Sequence, residues 1–395
     1  MAKSEKVTLE LDGHEVSFSN PEKPFFPQAG ITKLGLCEYY LAVADPLLGH
    51  LSNRPTSMKR FPNGADGDFF FQKRVPKTAP EWVEQMVVHF PSGRNANYLL
   101  CQDRAHIAWA CNLGIIDWNP WPVRSPDGDH PDELRVDLDP TPGSSEWADV
   151  REVALCVREV LSDHGLEGFP KTSGSRGIHV YAQIEQRWDF TEVRRAALAL
   201  ARDVERRMPK GKATSKWWKE EREGVFLDYN QNARDRTIAS AYSVRPNPGA
   251  LVSAPLLWEE VPDAEMEDFS VATVPARVQK IGDPSAGLHE RAGSLDALLD
   301  LAARDEREGL ATRPGRPTSP SRRASPSAWR PPGRSRTPSQ AGGARRSTTG
   351  AGAWACCQTV ASCGSPWPLP CSPRSSSRPA PRPPPRAFSP PTRSP

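Results

Sequence analysis

An α/β (α+β) core is what the sequence predicts for residues 1–310, and three observations carry that prediction. Apolar residues alternate with polar ones at 134–138. Helical periodicity fills the stretch that follows. From Asp132 onward the segments come in the order strand, helix, strand, helix, strand, with acidic residues at strand positions. The pattern leaves parallel or antiparallel pairing open. A body of this length buries roughly three quarters of its unfolded-chain surface, enough for one large unit or two smaller ones.

The elements follow in order. Residues 7–10 and 14–18 alternate about Asp12-Gly13, which reads as a hairpin. Residues 20–24 and 27–30 are turn-rich, and Thr32 then starts a helix carrying Leu34, Tyr39, Leu41 and Leu48. Residues 58–73 mix Phe, Lys, Arg and Gly, and a short helix is expected after Pro80. Leu134, Val136 and Leu138 alternate with Arg135, Asp137 and Asp139, so a strand buries the aliphatics and sets both aspartates on the opposite face. Pro140 stops it. Ser144 or Ser145 caps a helix in which Trp147, Val150, Val153, Val157, Val160 and Leu161 recur at steps of three and four, ending at Gly165. The Gly-rich loop 171–177 leads into a strand at 178–184. A further helix runs from about Thr191 to Met208, and residues 225–229 make a third strand.

The chain has 395 residues and a formal charge of +3, an average over two unlike parts. Residues 311–395 hold 14 Arg, 19 Pro and 4 Cys, with no Lys, Asp, Glu, Ile, Asn or Tyr. The first 310 residues carry 37 basic and 48 acidic side chains, a formal charge of −11, against +14 for the tail. An acidic body holds an anionic partner by a local set of Lys and Arg, not by bulk charge. The tail has too few large aliphatics to offset chain entropy and reads as disordered. A cationic arm for nucleic acid is one reading of it. The loss of those six ordinary residue types together over 85 positions favours a GC-rich gene translated out of frame, and an intact frame around the codons for Gly309 to Arg316 would overturn that reading. Cys356, Cys357, Cys363 and Cys371 have no His nearby and are incidental.

No run of about 18 apolar residues occurs, so no membrane span is expected. The polar N-terminus lacks an export signal. Cys37, Cys101, Cys111 and Cys156 stand outside C-x-x-C spacing, which indicates neither a zinc knuckle nor a disulfide framework, and a cytoplasmic setting is expected.

Asp137 and Asp139, at i and i+2 on a strand, point the same way with Cβ atoms roughly 6 to 7 Å apart, close enough to share or bridge hard cations. On spacing alone an exposed polar face is the commoner meaning. Asp228, after three apolar residues on another strand, is the third acidic candidate; three carboxylates without His or Cys select Mg²⁺ or Mn²⁺ over zinc. The loop K-T-S-G-S-R-G-I-H from Lys171 sets hydroxyls, glycines and a guanidinium beside a strand. Its amides could form an anion-binding nest, Arg176 could contact phosphate bidentately, and His179 would project toward the same ligand. An ordinary turn with a partly buried His is the bland alternative. The P-loop pattern is missing.

Asp-x-Asp, then S-G-x-R-G-x-H, then a strand-borne Asp resemble, in that order, the archaeo-eukaryotic primase superfamily, and more narrowly the polymerase domain of bacterial ATP-dependent DNA ligase D. The likeness runs from about Val16 to Leu310. It rests on S-N-P-E-K-P-F-F-P-Q-A-G-I-T-K from Ser19, L-R-V-D-L-D-P from Leu134, the Lys171 loop, and F-L-D-Y-N-Q-N from Phe226 continuing to A-Y-S-V-R-P ending at Pro246. The resemblance implies a primase-polymerase-like catalytic core of mixed sheet with flanking helices.

It also implies that Asp137, Asp139 and Asp228 hold two metal ions, Mn²⁺ or Mg²⁺, for template-dependent nucleotidyl transfer onto DNA 3′ ends. Ser173, Arg176 and His179 would grip the triphosphate of an NTP or dNTP, with Lys59, Arg245 and Gln231 as further contacts. Asn20, Lys23 and Lys33 match residues that recognise a downstream 5′-phosphate at a gap or break. Without the resemblance, both lysines read as solvated surface residues. Phe70 and Phe71 match aromatics that stack on template bases, one of the two being expected in the core, and Lys73 is a backbone contact. Partners implied by analogy are a Ku-type end-binding protein and a DNA ligase; a monomer associated with the nucleoid is the default.

One departure stands out. Many relatives carry His in an I-E-x-H-P-W string, where this chain has Asn119 in I-D-W-N-P-W. Asn119 can hydrogen-bond a phosphate or sugar but cannot titrate. Two other functions are weighed against polymerase: a Mn²⁺-dependent Asp-x-Asp glycosyltransferase, which needs neither Asp228 nor the Lys171 loop, and a non-catalytic DNA-end scaffold for a repair ligase.

Overall fold

A computed structural model describes residues 6–90 and 92–310. The tail from Ala311 to Pro395, with its readings as disordered or out of frame, lies outside the described residues.

The first strands are β1 (Lys6–Leu11) and β2 (His14–Ser19), antiparallel with Leu11 opposite His14. Asp12 and Gly13 both take positive φ, 47° and 82°, the turn that matches strand twist. A small ladder, β3 (Pro24–Phe26) and β4 (Ile31–Thr32), leads into α1 (Lys33–Ala42), whose first turn is capped as expected by Thr32 Oγ1 accepting from Gly35 N at 3.1 Å. The single helix expected through Leu48 is two. It breaks at Val43 and restarts as α2 (Ala44–Leu51), because Pro46 has no N–H to give residue 42 and fits only a first turn.

A second sheet follows: β5 (Thr56–Arg60), β6 (Phe70–Gln72), β7 (Gln85–His89), β8 (Asn95–Leu99) and, after α3 (Arg104–Asn112), β9 (Ile115–Pro120). Its order is β6-β5-β8-β7, with β9 also paired to β5. The short helix expected after Pro80 does not form. Val83 N closes one turn on Pro80 O, but the next amide, Glu84 N, donates to His106 Nε2 at 3.1 Å, and Trp82 stacks on His14. A tertiary partner takes the proton that a helix would need.

The central sheet has the order β11-β12-β10-β14-β13. Its members are β10 (Glu133–Pro140), β11 (Phe169–Thr172), β12 (Ile178–Gln183), β13 (Ala213–Thr214) and β14 (Val225–Leu227), with α4 (Trp147–Asp163) and α5 (Phe190–Arg207) between them in sequence. Pairing is antiparallel except for β13 with β14. α4 buries Val150, Val153, Val157, Val160 and Leu161, each contributing roughly 1.5–3 kcal/mol. Its cap is Glu146, not a serine. Ser145 Oγ accepts from Thr141 N and Ser144 Oγ from Gly224 N, so both hydroxyls are spent on the turn before the helix. β14 stops at Leu227; Asp228 already caps the 3₁₀ turn 229–232. Helices α6 (Val274–Ile281) and α7 (Asp296–Arg307) complete the described residues. None of the described helices is long and apolar enough to cross a membrane.

Ahead of the Asp-x-Asp, β10 is anchored by buried charge. Arg54 bridges Asp132 (2.5 Å) and Glu133 (2.6 Å), Arg135 pairs with Glu133 (2.7 Å), and Arg124 reaches Asp132 (2.9 Å). Burial alone would raise the Glu133 carboxyl, but Arg54 and Arg135 hold it well below the usual carboxylate range. Cys37, Cys101, Cys111 and Cys156 are free thiols, all buried.

Candidate active site

β10 is the axis of the site. Its register sets Asp137 opposite His179 on β12, and His179 in turn opposite Lys171 on β11, so three side chains form one row across three strands. On the other side Leu138 pairs with Leu227, which brings Asp228 N to within 2.9 Å of the Asp137 carbonyl. The expectation that the aspartates share a face holds, and that face is recessed rather than freely exposed: Asp137 is buried and Asp139 half-buried, and both line one cavity.

A cavity of about 320 Å³ opens over this row. Asp137 and Asp139 line one side, Ser173, Arg176 and His179 another, and Lys59, Phe71, Gln231 and Arg245 close it. Asp228 is not among the lining residues; its Oδ1 accepts from Asn230 N and its Oδ2 from Gln231 Nε2 at 3.0 Å, and Gln231 is the residue that reaches the cavity. The expected convergence of three carboxylates is therefore partial, and among the described residues no group of three His, Cys, Asp or Glu side chains is drawn up as a metal cage. The donor chemistry still fits a hard divalent cation. Burial pushes Asp137, Asp139 and Asp228 each up to about 6, and the charge of Asp137 adds to the rise of the other two.

A raised carboxylate pKa has a definite sign for stability. The folded chain holds these protons more tightly than the unfolded chain, so the contribution is present below about pH 4 and is lost as pH rises through 6. Asp139→Asn removes one such group. Its unfolding free energy relative to the parent, measured in urea without added metal, is expected to grow between pH 4 and pH 7; a difference independent of pH counts against it.

The Lys171 loop is held differently from the expected nest. Ser173 Oγ accepts from the amides of Ser175, Arg176 and Gly177 at 3.2, 3.2 and 2.9 Å, so those N–H groups turn inward onto the hydroxyl. Gly177 lies against β10, where a Cβ would stand 2.2 Å from Leu138 O. Gly177→Ala is expected to cost at least about 2 kcal/mol in urea unfolding, since backbone must move; a loss under about 0.5 kcal/mol would contradict this packing.

His179 is no partly buried turn residue. Its Nε2 lies 3.3 Å from Asp137 Oδ1 and its Nδ1 2.7 Å from Lys171 Nζ, and burial pushes both His179 and Lys171 well below their ordinary values. Asp117, fully buried, stands 3.4 Å from both Lys59 Nζ and Arg245 Nη1 and aims the two cations at the cavity. Lys171 and Asp117 were missed in the sequence. The i, i+2 spacing of Asp117 and Asn119 on β9 was a usable signal, whereas the role of Lys171 depends on non-local register. Asn119 lines the cavity and donates to the Asp117 carbonyl at 3.0 Å.

Phe70 and Phe71 are both about half exposed, so neither is the core residue expected of one of them, and Phe69 joins them. Lys59 lies 4.5 Å from the Phe69 ring and Arg60 5.2 Å from that of Phe70. The exposed Lys73 sits 5.6 Å from Phe90. Asn20, Lys23 and Lys33 are gathered elsewhere. Asn20 and Lys23 edge a separate hollow, and Lys23 Nζ donates to Pro62 O and Asn63 Oδ1. Lys33 is not a solvated surface lysine. It is buried, its ammonium donates to Ser19 O and Asn112 Oδ1, both at 2.7 Å, and burial lowers it to about 8.

Comparison with known proteins agrees with this architecture. The chain is 33% identical over 286 residues to the multifunctional non-homologous end joining protein LigD of Mycolicibacterium smegmatis, and 29% identical over 272 residues to the bifunctional LigD of Bacillus subtilis. The matches cover 72% and 68% of this chain but 37% and 43% of those proteins, so it spans about two fifths of their length. The structure of the polymerase domain from Mycobacterium tuberculosis ligase D, in complex with DNA, superposes with a TM-score of 0.65 at 32% identity, over 70% of this chain and 99% of that one. A glycosyltransferase reading has no place beside these matches. Since residues 32–285 also match the LigD primase-polymerase domain over well over half of the sequence, the chain belongs to that family.

Proposed function

We propose that this chain is a template-dependent nucleotidyltransferase that extends or fills DNA 3′ ends at breaks and gaps. The observation that carries the reading is the cavity in which Asp137 and Asp139 face Lys59, Arg176 and Arg245: carboxylates for hard cations on one wall, cations for a polyphosphate on the others. Asp137, Asp139 and Asp228 would hold Mn²⁺ or Mg²⁺. Such ions, when bound, stabilise the attacking and leaving oxygens of an in-line displacement. Ser173 offers a hydroxyl proton and His179 a ring nitrogen to the triphosphate, and Gln231 spans from Asp228 to the cavity. Phe70 and Phe71, exposed beside Lys59, offer sequence-tolerant stacking for template bases, and Lys73 a phosphate contact.

Asn20, Lys23 and Lys33 form the downstream 5′-phosphate site in this reading, with Lys33 shaping the loop from beneath and Lys23 making the contact. End joining with a Ku-type protein and a separate ligase is carried over by analogy with the end-joining relatives, and a monomer associated with the nucleoid is the default state in this reading. The test is primer extension by the purified chain on gapped DNA bearing a 5′-phosphate, with Mn²⁺ and NTPs or dNTPs. Extension supports the proposal, binding without extension favours the scaffold, and neither activity in a folded chain removes both. Lys23→Ala is expected to lower the preference for the phosphorylated over the unphosphorylated gap by about tenfold at fixed salt; equal loss on both refutes that assignment.

A further inference from the structure

Lys171 ends the row of Lys171, His179 and Asp137, and the triphosphate reading makes no use of it. Its Nζ meets three atoms: Ala239 O at 2.9 Å, Ser253 Oγ at 2.6 Å and His179 Nδ1 at 2.7 Å. A carbonyl oxygen only accepts. Ser253 Oγ spends its one proton on Thr172 O at 2.7 Å, so toward Lys171 it also accepts. A neutral amine has two N–H bonds, and these two contacts use both. Its lone pair would then face Nδ1, which would have to carry the ring proton. With the ring neutral, the form that burial beside Arg245 and Arg135 favours, that would leave a bare Nε2 against the Asp137 carboxylate, 3.3 Å away, two acceptors face to face.

An ammonium satisfies every contact together. Its third N–H goes to Nδ1, the ring proton sits on Nε2, and Nε2–H points at Asp137 and the cavity. Burial and the neighbouring Arg245 and Arg135 work against the charge, while Asp137 and Asp117 work for it and the Tyr181 ring lies 5.1 Å from Nζ; the hydrogen-bond geometry is what selects the ammonium.

We propose that Lys171 is a positioning residue: by donating to Nδ1 it fixes His179 as the Nε2–H tautomer, so that the cavity wall presents a hydrogen-bond donor to an anionic ligand. An imidazole with Nε2 bare would repel a phosphate oxygen at the same place. The benefit to the ligand rests on the triphosphate reading given above; the tautomer does not.

The experiment uses the full chain with ¹⁵N-labelled histidine and long-range ¹H–¹⁵N correlation spectra. Among its 8 histidines, His179 is assigned by the signals lost in His179→Gln. The expected spectrum has a pyridine-like Nδ1 and a pyrrole-like Nε2. In Lys171→Met that pattern gives way to mixed tautomers, and the affinity for ATP with Mg²⁺, followed at the His179 signals, falls about tenfold. An Nδ1–H tautomer or an imidazolium in the parent overturns the proposal, and this measurement decides even if Lys171→Met does not fold. A folded Lys171→Met that keeps the parent pattern overturns it equally. Nucleotide that leaves His179 unperturbed, with the tautomer as expected, removes the triphosphate reading and leaves the Lys171 hydrogen bond standing.

Discussion

Asp137→Asn is expected to abolish primer extension on gapped DNA in the presence of Mn²⁺, with the rate falling at least about a thousandfold while DNA binding persists. The size follows from position. Asp137 is the carboxylate that both Asp139 and Asp228 feel, it is buried, and it faces His179 across the sheet. Charge stabilisation of the reacting oxygens by bound ions amounts to several kcal/mol, and each 1.4 kcal/mol is about a factor of ten in rate. Asparagine keeps the shape and an acceptor oxygen for His179 but removes the charge. The unfolding midpoint of the metal-free variant should not fall, because a buried carboxylate held at a raised pKa costs stability at neutral pH. Extension within tenfold of the parent would sink the assignment of Asp137 to the reaction.

Arg54→Met is expected to lower the unfolding free energy by about 3–5 kcal/mol, the cost of leaving buried carboxylates without their partner. Arg54 has no solvent exposure and, among the described residues, is the cation that pairs with both Asp132 and Glu133. Arg124 and Arg135 each retain one of these acids, which places the expected loss toward the lower end. Methionine preserves most of the volume, so the loss reads charge pairing rather than a cavity. A urea midpoint shifted by less than the equivalent of about 1 kcal/mol, at unchanged slope, would show that the two remaining arginines suffice. Because the network fastens the residues just ahead of Asp137, a folded Arg54→Met should also lose extension activity.

What the sequence made legible is local. The Asp12-Gly13 hairpin, the Thr32 cap and the alternation that pairs Asp137 with Asp139 each depend on residues a few positions apart. The Lys171 loop was legible as a loop, but the inward turn of its amides was not, because the acceptor is the hydroxyl of Ser173 itself. Errors arose where a distant partner intervened: His106 takes the amide that would have continued a helix after Pro80, and Gly224 takes the Ser144 hydroxyl. Lys33 reads as surface by residue type alone; only Ser19 and Asn112, meeting it from separate elements, explain why it is buried. One of Phe70 and Phe71 reads as core by the same reasoning, yet both stay exposed, because β6 is an edge strand.

The connection between β11 and β12 also works as a ruler. Residues 173–177 set how far β12 is fed past β10, and along β12 the apolar Ile178, Val180 and Ala182 alternate with His179 and Tyr181. Slipping by one residue would turn His179 into the core and an aliphatic side chain toward Asp137, with the sheet itself intact. The length of this segment is therefore a constraint separate from the chemistry of its side chains, and a single-codon insertion there is expected to dismantle the row of Lys171, His179 and Asp137 even with every one of its residues retained.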